Sequence, residues 1–236
     1  MKKIRDYILT MDLLDEYQNA ALKNVGELLE EAQLLLSKKH YARAYFLALA
    51  SIEESGKAYL AFDAKGRNLK DGGVCKKIKE RFENHNSKIT AAFAGWLTFS
   101  DTPKEAIKNS VNLMIQLKHG QEASMYIDVK ENGSDIYIPA EMVRPVAARD
   151  CVIVAVNCLH HTKLYIQKNV PPKRSSYQDK FMCIKQSTLT ELISNEDFWE
   201  FYIRQLEKGE SALDKAVVTY HDVYYQKQKR FKQEIS

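Results

Sequence analysis

The chain has 236 residues, 45% of them hydrophobic and 28% charged, enough for one sizeable core with or without a small appendage. Thirteen Tyr and nine Phe can fill an interior, which excludes a disordered tail protein, and four Cys are too sparse for a disulfide scaffold. Lys+Arg 35 against Asp+Glu 31 gives a net charge of +4, mildly basic and compatible with RNA without singling it out.

Glycine (9) and proline (5) are scarce, and helical periodicity dominates. Asp12–Ser37 carries Leu13, Tyr17, Leu22, Val25, Leu28, Leu29, Ala32 and Leu36 near i, i+3, i+4 spacing. A break at Lys38-Lys39-His40 leads into Tyr41–Lys65, stopped by Gly66, so the two runs predict an antiparallel helical hairpin. After a loop at Arg67–Gly73, Val74–Phe99 reads as a third helix. Ser100-Asp101-Thr102-Pro103 then caps a fourth, to about Lys118. Alternation follows in Met125–Val129 and Asp135–Ile138, flanking Asn132-Gly133, which predicts a small two-stranded hairpin at about 124–138. Pro139 opens a long helix to about Lys168, closed by Pro171-Pro172.

Beyond a basic, Ser-rich link, Thr188-Leu189-Thr190-Glu191 has the pattern of a capping box, with helices expected over Leu189–Lys208 and Ser211–Gln233. The chain therefore divides into a helical bundle with its hairpin, 1–170, and a C-terminal helical extension, 171–236. The longest apolar runs, Ala44–Ile52 and Cys151–Leu159, fall short of the ~20 residues a spanning helix needs. Acids interrupt the first apolar stretch and no small-residue cleavage site follows, so a cytoplasmic protein with no membrane contact is expected. Cys75, Cys151, Cys158 and Cys183 form no C-x-x-C pair and read as small buried thiols; no metal and no cofactor is expected. His160-His161, adjacent near a helix end, point about 100° apart and are poorly placed to share a metal.

The most informative stretch is Tyr41–Ala58, apolar nearly all round up to Ile52 and so central in the bundle. Glu53 and Lys57 stack at i, i+4, with Glu54 about 100° further round, near the side of Arg43. Acids and a lysine continuing a buried helix are costly unless paired. Gly56 inside that helix costs about 1 kcal/mol against Ala, which points to close approach of another backbone or a ligand. One reading is a Glu53–Lys57 ion pair bracing the helix; the other is a functional polar site. On the expected third helix, Arg81, His85 and Lys88 share a face by their spacing. A His between two cations suits a site where a phosphate passes, with the His as general acid/base. The common alternative is a solvated charged face. Tyr126 and Asp128 alternate on one strand face, either packing across from Tyr137 or closing over the polar cluster.

The segment Ala42–Ala58 (ARAYFLALASIEESGKA), the H-x-x-K of His85 and Lys88, and Tyr126-Ile127-Asp128 together resemble the AbiV family of abortive-infection proteins, grouped with the HEPN-like helical bundles. The resemblance covers about residues 10–168 and implies a mainly α, HEPN-like fold. It also implies an anti-phage role in which an infected cell stops making protein. HEPN proteins are often dimeric, metal-independent ribonucleases with an R-x4-6-H motif, whereas Arg81 and His85 here have three residues between them.

Two functional expectations follow. In the first, the chain is an endoribonuclease-type effector. His85 is the acid/base, Lys88, Arg81 and Lys57 hold the phosphate, and Glu53 and Glu54 orient Lys57 and tune His85; Arg43, Tyr126 and Asp128 lie on the substrate side. In the second, a non-catalytic effector blocks translation by binding RNA, the ribosome or a phage protein. A homodimer is expected, with the cleft at or near its interface and a phage-encoded protein as a possible trigger.

Overall fold

The computed structural model describes residues 7–99, 114, 115, 117, 125–129, 133 and 135–232. Helix α1 (Met11–Ser37) begins where the Thr10 side chain accepts the Leu13 amide, and it buries Leu14, Gln18, Ala21, Val25, Leu29 and Ala32 as one seam. That seam lies on α2 (Tyr41–Ala64). The turn between them is tight because Lys39 takes a left-handed backbone, φ 63°. The Lys39 amide reaches the Leu36 carbonyl and the His40 amide the Leu35 carbonyl, which closes α1 with the paired bonds of a Schellman motif. The predicted hairpin is present.

Helix α2 is covered by its own chain. Alongside α1 it packs against α4 (His85–Phe99) and α6 (Pro145–Lys168). Its apolarity, which predicted a central place in the bundle, is matched by three helices of the same protein. The core gathers Val25, Leu29, Ala48, Leu49, Ile52, Ile89, Phe93, Val152, Ala155 and Cys158. Met114 and Leu117 pack there too, Ile115 is exposed, and the rest of the expected fourth helix lies outside the described residues. Cys151 and Cys158 are buried on the inner face of α6, and burial pushes the Cys151 thiol up to about 12 and Cys158 higher still. Both are inert packing groups.

The single helix expected over Val74–Phe99 is two, α3 (Gly72–Glu83) and α4, broken at Asn84. The Asn84 side chain accepts the Ser87 amide at 2.8 Å, so a new helix is capped where periodicity alone ran straight on. The predicted ribbon is short: β1 (Asp128–Val129) pairs antiparallel with β2 (Ile136–Tyr137), Asp128 opposite Tyr137. Gly133 between them has φ +68°, as the expected turn requires. Pro145 splits the predicted long helix into a single turn, α5 (Pro139–Met142), and α6.

The chain forms two compact units, 1–65 with 78–172, and 66–77 with 173–236. The second takes in a segment from mid-sequence as well as the C-terminal extension. Asp179 on α7 (Ser176–Cys183) explains why: its carboxylate accepts Arg67 Nη1 at 3.1 Å and the Asn68 amide at 3.0 Å, in a setting where both charges are buried. The capping box of this unit is Ser175 with Gln178, starting α7, rather than Thr188 with Glu191. Thr188 lies inside α8 (Gln186–Ile193). The run expected as one helix to Lys208 breaks where Asn195 caps α9 (Glu196–Glu207). The last expected helix is α10 (Leu213–Tyr220), continued by a π turn over His221–Tyr225. Phe198, Phe201, Val217, Tyr220, Tyr224 and Phe231 form this unit's own aromatic core.

No helix among the described residues is long and apolar enough to cross a membrane.

Candidate functional site

The site begins with a missing side chain. A Cβ placed on Gly56 would lie 1.8 Å from the Lys88 carbonyl oxygen and 2.6 Å from its carbon. Helices α2 and α4 therefore cross backbone to backbone at Gly56, which only glycine permits. The crossing brings the first turn of α4 over the acidic turn of α2. Asn84, by starting α4 afresh, sets the direction in which that first turn presents His85 and Lys88.

Glu53 is the centre. Its carboxylate is buried and takes Lys88 Nζ at 2.6 Å and His85 Nδ1 at 2.8 and 2.9 Å. Lys88 is itself buried, its side chain 8% exposed, whereas that of His85 is 54% exposed. A lone buried carboxylate would be strongly destabilising; two donors from one helical turn satisfy it. The arrangement is a buried ion pair, Glu53–Lys88, with a half-exposed imidazole fastened to its outer side.

Lys57 does not pair with Glu53. It pairs with Glu54, its i−3 neighbour, near the surface. The expected Glu53–Lys57 brace fails because Glu53 faces α4 and is already occupied there. Glu54 consequently orients Lys57 rather than tuning His85, and Lys88, expected as a phosphate-holding cation, is sealed beneath the imidazole. Arg81 stands on α3, before the break at Asn84, and its Nη1 lies 3.7 Å from Asp63 Oδ2, near the far end of α2. Arg43 is exposed near the start of α2, about ten residues and so about 15 Å along the helix from Glu53. Tyr126 is exposed, and Asp128 is placed by its backbone pairing with Tyr137, its side chain lying outside what is described.

Two participants escaped the sequence reading. Asp63 is a buried carboxylate within Leu60-Ala61-Phe62-Asp63-Ala64, and an acid in so apolar a run was the available signal. Asn84 is of a residue type that caps more readily than it propagates a helix, but it stands in a run whose periodicity continues across it. Among the described residues no group of three His, Cys, Asp or Glu is placed to hold a metal ion.

Chemically, a carboxylate that accepts an imidazole Nδ1–H favours the tautomer whose Nε2 carries the basic lone pair. Lys88 pairs with Glu53 from the buried side and does not itself reach the surface. This crossing contains the Glu-Glu-x-Gly-Lys and H-x-x-K elements picked out in the sequence. The HEPN_AbiV family model, described as AbiV, matches residues 13–160, more than half of the chain and every residue of this site. No curated protein and no solved structure matches the chain.

Proposed function

The chain belongs to the AbiV family of HEPN proteins, and from that premise we propose that it is an abortive-infection effector that halts translation by cutting RNA, without a metal, at His85. The observation that carries this reading is the unequal burial of Glu53's two partners. A brace needs only Lys88, which is buried with it; the half-exposed His85 adds little to stability at that exposure, and an accessible imidazole held by a carboxylate is what acid/base chemistry requires.

In the proposed reaction His85 Nε2 takes the proton of a ribose 2′-hydroxyl. The 2′-oxygen attacks the adjacent phosphorus, the bond to the 5′-oxygen breaks, and that oxygen leaves as a hydroxyl with a proton from solvent. The products are a 2′,3′-cyclic phosphate and a 5′-hydroxyl end. Glu53 stabilises the imidazolium that forms, as carboxylates behind catalytic His do. Lys57, held by Glu54 and partly exposed, is the nearest cation of α2 to assist the phosphate. The working unit in this reading is a homodimer, as is common for HEPN bundles.

The test is to incubate purified protein with total RNA in EDTA and map the ends. Fragments with 2′,3′-cyclic phosphate, absent with His85→Ala, are expected. RNA left whole by an active, phage-protective protein would instead favour a non-catalytic effector that binds RNA, the ribosome or a phage protein.

A further inference from the structure

The C-terminal unit contains a cavity of about 560 Å³ that the His85 chemistry does not use. Its size falls within the range of small-molecule sites. Its wall is built by the π turn His221–Tyr225, in which the Gln226 amide reaches the His221 carbonyl at 2.9 Å. The wider turn lets Tyr220 and Tyr224 stay in the aromatic core while His221, Asp222 and Tyr225 line the cavity. Turns of this kind are rare and recur at functional sites.

The lining is pre-organised by hydrogen bonds. Asp222 is held by His221 Nδ1 at 2.9 Å and by Lys180 Nζ at 3.2 Å. Burial alone would raise its carboxyl, but these two donors outweigh burial and keep it below the usual range, so it stays ionised and neutralised in place. The Tyr225 hydroxyl donates to Glu191, and its ring stacks on His221 with centroids 5.9 Å apart and planes 19° from parallel. A flat aromatic surface thus borders the cavity, with Val218 and Ile184 adding apolar wall and Lys185 exposed at the rim. Asp71, the other lining acid, has one carboxylate oxygen turned to the Gly73 and Val74 amides.

We propose that this cavity binds a nucleoside monophosphate, its base stacked on Tyr225 and its phosphate met by Lys185. A base offers a planar face that any aromatic platform accepts, the bonded Asp222–His221–Lys180 group offers both donors and acceptors to its edge, and Lys185 supplies the remaining positive charge. The inference is independent of RNA cleavage by His85.

Isothermal titration of the full-length protein with AMP, GMP, CMP and UMP, and with adenosine and inorganic phosphate as controls, tests it. At least one monophosphate should bind with micromolar Kd and at least tenfold more tightly than its nucleoside or phosphate alone. Lys185→Glu, a change at an exposed rim position, should weaken it tenfold or more, and Tyr225→Ala should do so through the stack, each with circular dichroism confirming a folded chain. His85→Ala should bind as the parent does. Absence of heat with all four monophosphates overturns the proposal, as does binding that Lys185→Glu leaves unchanged, or binding lost in His85→Ala.

Discussion

A methyl group at position 56 would collide with backbone, not with a side chain able to swing aside, since the nearest atom is the Lys88 carbonyl oxygen. Overpacking costs typically 1–3 kcal/mol where side chains can adjust, and here the helices must part. Gly56→Ala should therefore lower the unfolding free energy in urea by about 3 kcal/mol or more, despite alanine's better helix propensity. Near-neutral stability would show that α2 and α4 do not cross as described. At the same crossing, Glu53→Ala strands the buried Lys88 and should cost about 3–5 kcal/mol. Lys57→Ala breaks only a partly exposed pair and should cost about 1 kcal/mol or less. Equal losses for the two variants would contradict the pairing. His161 supplies a pH prediction. Its ring stacks on Trp96 at 5.7 Å, its Nδ1 is buried without a hydrogen bond among the described residues, and burial, then His160, lowers its pKa. Above pH 6.5 the group is neutral folded or unfolded. As pH falls below that value the unfolded chain takes the proton first, so stability declines, and the decline ends once pH passes the lower folded value. His161→Phe should flatten this part of the stability–pH curve between pH 7 and 5; an unchanged curve would refute it.

At the scale of elements, what the sequence made legible was local. The α1–α2 hairpin followed from two long apolar periods and a short polar gap, and the ribbon from alternation around Asn132-Gly133. The breaks at Asn84 and Asn195 were not, because each Asn sits in a run whose periodicity continues across it. Only the finished fold shows its side chain taking an amide two or three residues on. Thr188 and Ser175 each begin a plausible capping sequence, and tertiary packing selected Ser175. Partners of Glu53 were misassigned for the same reason: one helix's periodicity offers only i, i+3 and i, i+4 neighbours, whereas the real donors come from a helix that Gly56 admits. The Schellman turn carries its own prediction. Lys39 holds φ 63° at the position that most often carries glycine. Lys39→Gly should raise stability by about 0.5–1 kcal/mol by relieving the left-handed strain. A melting temperature that falls would mean the lysine side chain contributes more than its backbone costs.

For the whole molecule, the family match ends within α6, at residue 160, while the second compact unit lies almost wholly beyond it. The bundle carries the His85 site, and the C-terminal unit has a separate aromatic core and cavity. Since α2 is enclosed by its own chain, a homodimer rests on the family's habit rather than on that helix. Light scattering at micromolar concentration should still give twice the chain mass, and a monomer that protects cells against phage would remove the dimer from the proposal.

The central claim is that the Glu53–Lys88 pair holds His85 for chemistry. It is tested most directly by His85→Ala, scored together for melting temperature and for reduction of phage plaques. With His85 half exposed, the variant should melt within about 3 °C of the parent, corresponding to about 1 kcal/mol at this chain length. Its phage protection should be lost. A variant that melts normally and still protects, or one that loses protection only because it unfolds, would contradict the claim.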